Sequence, residues 1–255
     1  MAGTAAKAGR QRRRKPVTIT RSEAVRRLGG MVKAIHRDVA IVLATEAALE
    51  TANAIIVATP DIERPGAVTY ETVAQSLVLN LAMSLARVYD EGSRLRHPNK
   101  RELASIPLIA RLLSQKRCQD ELARRARQWT PQYPEFADSQ EAACRKAISD
   151  ALAAFDRLHT DRVGREAVRR LRLMRNKVLA HSYMDEVIVA MPTYDQVFLL
   201  ADVARDVASG AMLAIDGRHV DLTEFEEGRV AQGRLFWEHA LRALEGDQLA
   251  GGNSV

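Results

Sequence analysis

The residue types best suited to chemistry lie in one short segment, Arg175 to His181, whose sequence is RNKVLAH. The histidine imidazole titrates near neutral pH and can move a proton in either direction. An arginine guanidinium stays charged and binds phosphate through two donors at once. RNA brings its own nucleophile, the 2′-hydroxyl. The pair therefore suits RNA cleavage without a metal: His181 takes the hydroxyl proton, and Arg175 stabilises the charge on the phosphate oxygens.

The spacing of this pair has a geometric consequence. In an uninterrupted α-helix Arg175 and His181 are about 120° apart around the axis and about 9 Å apart along it, with Val178 midway. Two such helices packed antiparallel about a two-fold axis at Val178 bring Arg175 of one copy to His181 of the other. We therefore expect a homodimer whose sites draw on both chains, with the second His181 protonating the leaving oxygen.

The helix expected to position this segment runs from a cap at Asp161 to Ser182. It is rich in arginine, and Arg165, Arg169 and Arg172 fall on one face. Leu171, Met174 and Val178 fall on another face, so the helix is amphipathic, and a solvated basic face explains most of its arginines.

Helix signals recur over the rest of the chain, and no convincing strand alternation accompanies them. Thr20-Arg21-Ser22-Glu23 has the form of a capping box, and Gly29-Gly30 is a point where the long helix after it could break. Asp138 is predicted to cap another helix. The predicted helices cover about 21–58, 68–89, 105–113, 116–129, 138–158, 161–182, 192–215 and 223–244. The sequence thus predicts an all-α helical bundle.

The positive charge of the chain is concentrated at its start. The net charge is +6, and residues 1–16 carry six basic side chains and no acidic one. The net charge of residues 17–255 is therefore zero, and the high isoelectric point says little about the charge of the folded domain. We expect 1–16 to be a disordered basic tail, able to attract phosphate backbones without reading sequence. Residues 17–249 are expected to form a single domain.

Several function classes find no support in the sequence. Cys118 and Cys144 lack metal-ligand spacing and are expected to be buried free thiols. No histidine pair has zinc-site spacing, and no Ser/His/Asp order stands out. The apolar stretch Val39 to Thr59 contains Glu46 and Glu50, and we expect it to be too poor in apolar residues to span a bilayer. The expectation is a cytoplasmic protein that needs no metal or cofactor and no membrane.

The string Arg-Asn-Lys-Val-Leu-Ala-His-Ser at 175–182 resembles the signature of the HEPN superfamily, and its form looks most like the AbiU-like abortive-infection branch. The resemblance implies a dimeric helical bundle acting as a metal-independent endoribonuclease, in phage defence or as a toxin with an antitoxin. It implies that Arg175 and His181 are the catalytic pair, and that Asn176 and Lys177 orient the pair or hold phosphate.

The resemblance also extends to Tyr183. In some HEPN toxins a tyrosine two residues after the histidine is adenylylated by a nucleotidyltransferase partner, and Tyr183 occupies that position. Those toxins usually have four residues between the arginine and the histidine, whereas this chain has five. A half-buried structural tyrosine is the alternative. Two further alternatives concern function: a non-catalytic HEPN module that binds nucleotide or RNA, and a helical interaction protein in which His181 is an interface residue.

Overall fold

The computed structural model of the protein describes residues 19–58, 67–92, 103–176 and 191–251, the last stretch from 241 onward as backbone only. Over these residues the chain is all-α, as predicted, and contains no strand. The helices are α1 (Arg21–Ala58), α2 (Ala67–Val88), α3 (Ile106–Leu113), α4 (Lys116–Ala126), α5 (Ala137–Thr160), α6 (Arg162–Met174), α7 (Tyr194–Asp216) and α8 (Leu222–Gly251), with a short 3-10 helix at Pro134–Phe136 before α5.

Helix α1 lies at the centre of the fold, in contact with α2, α3, α4, α7 and α8. A second layer is built on α5, which packs along α7 and also contacts α4 and α6. One continuous hydrophobic core draws residues from all eight described helices, and Leu28, Ile35 and Leu43 of α1 are fully buried in it. Burying apolar surface along both layers is the main driving force for this arrangement. The predicted domain limits of 17 and 249 stay predictions.

Helix α1 is long and apolar enough, by length and composition, to cross a membrane, with a mean hydropathy of 1.6 over its most apolar window. The expectation that this region is too poor in apolar residues was therefore wrong on composition. Half of that window is buried inside the fold, and the five helices packed around α1 account for its apolar character. Core helices of this kind commonly meet the same criterion.

The helix ends follow local signals in some places and depart from them in others. Thr193 and Gln196 form a full capping box at the start of α7. At α1 the backbone N–H of Glu23 donates to Thr20 Oγ1 at 3.2 Å, but the Glu23 carboxylate pairs with arginines of its own helix instead of closing the box. Asp138 is not a cap, because α5 begins one residue earlier, after Phe136.

The predicted break at Gly29-Gly30 does not occur, and α1 continues through both glycines. The neighbouring residues Leu28 and Met31 are buried in the core, and tertiary packing of this kind overrides the weak helix propensity of glycine. Gly217 does end α7, with a φ of 67° that places it in the left-handed region.

The end of α6 differs from the prediction at the start of the predicted site segment. Asp161 caps the helix as expected, its carboxylate accepting from the backbone N–H of Gly164 at 3.3 Å. The α-helix does not run on unbroken to Ser182, however: it ends at Met174, and residues 175–176 continue as a π turn. Residues 177–182 lie outside the described part of the chain.

Candidate functional site

The C-terminal ends of α2 and α6 form the two walls of a cleft of about 320 Å³. Its lining comprises Ala86 and Tyr89–Gly92 on the α2 side, and Val168, Leu171, Arg172, Arg175 and Asn176 on the α6 side. Leu171 and Met174 of α6 are buried in the core, which confirms the apolar face predicted for these two residues. The polar residues Arg172, Arg175 and Asn176 at the end of α6 line the cleft beside this apolar face.

Arg175 is held in the cleft by two polar partners. Its Nη1 lies 2.7 Å from Asp90 Oδ1, and its Nε donates to Asn176 Oδ1 at 3.0 Å. The side chain of Arg175 is 36% exposed and that of Asp90 is 29% exposed. The guanidinium is therefore oriented by neighbours yet still open to a ligand from solvent, which is the arrangement needed to bind a phosphate group.

Asp90 is itself fixed by a tight turn at the end of α2. The backbone N–H of Gly92 donates to Asp90 Oδ1 at 2.7 Å, and Gly92 has a φ of 70°, which glycine adopts without steric cost. The preceding residue, Tyr89, is buried and donates its hydroxyl proton to the Leu200 carbonyl of α7 at 2.6 Å. Burial raises the pKa of Tyr89, so the phenol stays protonated as a donor and fastens the end of α2 to α7.

A second ion pair crosses the same cleft, between Arg172 of α6 and Glu91. The other two arginines of the predicted basic face of α6 have partners outside the cleft. Arg169 pairs with Glu166 within α6, and Arg165 donates to the His159 carbonyl at 2.9 Å. The prediction of a solvated basic face therefore describes Arg165 and Arg169, whereas Arg172 belongs to the cleft.

The predicted site residues divide into two groups. Arg175 and Asn176 lie together in the cleft. Lys177, Val178, His181 and Tyr183 lie outside the described residues. The two-fold arrangement centred on Val178 requires unbroken α-helical rotation from Arg175 onward, and the π turn at residues 175–176 departs from that geometry. The homodimer stays a prediction. The angle of about 120° between Arg175 and His181, on which the two-fold arrangement is based, does not apply from residue 175 onward.

Asp90 and Glu91 are the cleft residues that sequence reasoning missed. The pattern Asp90-Glu91-Gly92 indicates the end of a helix and does not by itself indicate a site. A signal was present, since two consecutive acids precede Gly92 and two arginines stand three positions apart at 172 and 175. Nothing in the spacing alone joins segments more than eighty positions apart, so the tertiary contact was needed to reveal the pairing.

The remaining polar groups of the described chain offer no rival site of the metal type. Within the described ranges there is no group of three or more His, Cys, Asp or Glu side chains that could hold a metal ion. Cys118 and Cys144 are buried free thiols, as expected. Burial raises the pKa of Cys144 to about 11, which makes this thiol a poor nucleophile at neutral pH.

Comparison with known families decides the relationship. The family model HEPN_AbiU2, described as AbiU2, matches residues 31–234. The chain belongs to the HEPN_AbiU2 family. The match spans both walls of the cleft and the segment from Arg175 to His181. No curated protein and no solved structure matches this HEPN_AbiU2 chain.

Proposed function

We propose that this HEPN_AbiU2 protein is a metal-independent endoribonuclease that cuts RNA by attack of the 2′-hydroxyl. The observation that carries the proposal is Arg175, oriented by Asp90 and Asn176 in a cleft that solvent can enter. This arginine opens the segment that ends at His181, and the family match covers the whole segment. A role in phage defence or as a toxin is part of the proposal and rests on the family.

The proposed reaction assigns one task to each residue. His181 removes the proton of the 2′-hydroxyl, and the oxygen forms a new bond to the adjacent phosphorus. Arg175 stabilises the negative charge that gathers on the phosphate oxygens. The bond from phosphorus to the 5′-oxygen breaks, and that oxygen takes a proton, for which His181 of a second copy is the proposed donor. The products are a 2′,3′-cyclic phosphate and a 5′-hydroxyl.

Asn176 and Asp90 complete this assignment as positioning residues. Both contact the guanidinium of Arg175 directly. A bound phosphate would take up the donors of Arg175 that these two residues leave free, since a guanidinium carries five N–H donors. Lys177 is proposed to bind phosphate beside them.

The proposed partners follow from the family. They are RNA, a second copy of the chain, and an antitoxin or a nucleotidyltransferase acting on Tyr183. The proposed location is the cytoplasm, where thiols such as Cys118 stay reduced.

The deciding experiment compares RNA cleavage by the purified full chain with that by Arg175→Ala and His181→Ala, in the presence of a metal chelator. We expect the wild type to leave cyclic phosphate ends, and each variant to lose at least a hundredfold in rate, because general acid-base catalysis alone contributes about that much. Circular dichroism must give equal helix content for all three proteins. Wild-type rates in both variants would refute the site.

A non-catalytic RNA-binding module is the second candidate, favoured by one observation. Arg175 and Arg172 both line the cleft, and phosphate binding there needs no histidine. In that case Arg175→Ala weakens RNA binding, His181→Ala leaves it unchanged, and no protein concentration yields cleavage.

A further inference from the structure

The cleft contains a second arginine that the proposed reaction does not use. Arg172 lies three positions before Arg175 on α6, so the two guanidinium groups occupy neighbouring places on one helix face. Both side chains line the cleft, and their exposed fractions are nearly equal, 38% for Arg172 and 36% for Arg175. Two arginines in this arrangement present two anion sites one helical turn apart.

Glu91 occupies the site beside Arg172. Its carboxylate has the charge and the paired oxygens that also make a phosphate a good partner for arginine. The Glu91 side chain is 41% exposed, and an ion pair this open is screened by solvent and stabilises the fold only weakly. An incoming RNA phosphate, which carries the same charge, can therefore compete with Glu91 for Arg172.

The Arg172–Glu91 pair differs from an ordinary surface ion pair of the same helix. Arg169 and Glu166 are also an arginine and a glutamate in contact, but both belong to α6 and neither lines the cleft. Glu91 comes from the far wall, after α2, so its contact with Arg172 spans the opening through which a strand of RNA would pass.

We propose that Arg172 binds an RNA phosphate next to the one held by Arg175, and that Glu91 fills this subsite until RNA displaces it. The inference rests on the proposed function, since it takes RNA as the ligand. A single strand would lie along the cleft with consecutive phosphates on the two arginines, and Glu91 would compete with the strand for Arg172.

The test measures binding of a fluorescent 2′-O-methyl oligouridylate, which lacks the nucleophile and cannot be cut, to the full chain over a range of salt concentrations. Arg172→Gln should weaken binding about tenfold, the loss of one charge-assisted contact, and lower the salt slope by about 0.7. Glu91→Gln should strengthen binding, because the competitor for Arg172 loses its charge. Arg169→Gln and Glu166→Gln are the matched controls for a general change of charge on α6.

The sign of the Glu91→Gln effect separates competition from a structural role. If Glu91 only held Arg172 in place, its replacement would weaken binding, and the inference would be wrong. The inference would also be overturned if the Arg172→Gln variant bound the oligonucleotide as tightly as the Arg169→Gln variant does. Cleavage of unmodified RNA by the wild type is scored in parallel. If the binding changes occur as expected but the wild type cuts no RNA, the nuclease proposal is refuted and the Arg172 subsite stands. If the wild type cuts RNA but the binding changes do not occur, the subsite is refuted and the nuclease proposal stands.

Discussion

At the scale of single residues, the site depends on how an arginine is held as much as on its presence. Arg175 is oriented through contacts to Asp90 and Asn176, and Asp90 is in turn fixed by the N–H of Gly92. Preorganised charges stabilise a developing anion without having to move during the reaction. Under the proposed function, the carboxylate that aligns Arg175 should therefore influence the chemical step through this arginine.

Asp90→Asn tests this positioning role. The amide keeps an oxygen for Arg175 and for the Gly92 N–H but loses the charge that holds the guanidinium. We expect kcat to fall about tenfold with KM changed much less, because the interaction matters most in the transition state. Steady-state cleavage kinetics measure this split.

Asp38→Asn is a suitable control for Asp90→Asn, since Asp38 forms a pair with Arg37 on α1, outside the cleft. A rise in KM alone would show that Asp90 serves only substrate binding. Full activity of the Asp90→Asn variant would show that Asp90 has no role in the site.

At the scale of elements, α6 shows what sequence patterns can and cannot predict. Its Asp161 cap, its apolar face at Leu171 and Met174, and its exposed Arg169 all follow from local spacing, and all are confirmed. The end of the helix was not predicted, because the π turn at 175–176 coincides with tertiary contacts to the end of α2. The same reason hid Asp90 and Glu91: ion pairs between distant segments leave no periodic signal.

The cap of α6 gives a stability prediction. Asp161→Ala removes the acceptor for the Gly164 N–H and should lower the free energy of unfolding by about 1 kcal/mol. For a chain of this size that corresponds to a fall in Tm of about 3 °C, measurable by calorimetry. Asp161→Asn retains the acceptor and should match the wild type closely. If Tm fell equally in both variants, the destabilisation would come from the lost charge of Asp161 and not from the lost hydrogen bond to the Gly164 N–H.

At the scale of the whole molecule, one buried carboxylate stands out where α1, α7 and α8 meet. Glu46 is only 5% exposed, and within the described residues its Oε2 has no hydrogen-bond partner. Burial, together with the nearby charges of Glu226, Glu50 and Asp202, raises its pKa from 4.5 to about 8, against a lowering effect of Arg205. The fold therefore encloses a carboxyl group that is protonated near neutral pH.

The stability of the fold should depend on pH through Glu46. In the unfolded chain this carboxyl ionises near pH 4.5, whereas in the folded chain it keeps its proton to about pH 8. Stability is therefore lost as the pH rises between these values and is constant above them. Glu46→Gln removes this loss, so its Tm should equal the wild type near pH 4 and exceed it by about 10 °C at pH 8.

Glu227→Gln, on the exposed face of α8, is the control for this experiment. Its Tm difference from wild type should be small and independent of pH. A Glu46→Gln difference that is likewise independent of pH would contradict the assignment of a protonated, buried Glu46.

The proposed dimer, in which each site uses residues of both copies, predicts that two inactive variants can restore activity to each other. If each site combines Arg175 of one copy with His181 of the other, a mixed dimer of Arg175→Ala and His181→Ala holds one site with both of these side chains, although it lacks the second His181 proposed as the proton donor. Refolding the two inactive variants together should then restore measurable cleavage, at most about a quarter of the wild-type rate, since half of the dimers are mixed and each has one of two sites. Sites built within one chain would give no recovery. Light scattering that found only monomers would exclude shared sites altogether.

The π turn at residues 175–176 finally bears on the geometry of the helix end. A turn of this kind holds one residue more than the α-helical turn it replaces, because its hydrogen bonds span five residues and not four. Single π turns inside α-helices are found frequently at functional sites. This one begins at Arg175 itself, the residue that contacts Asp90 across the cleft and on which the proposed reaction depends.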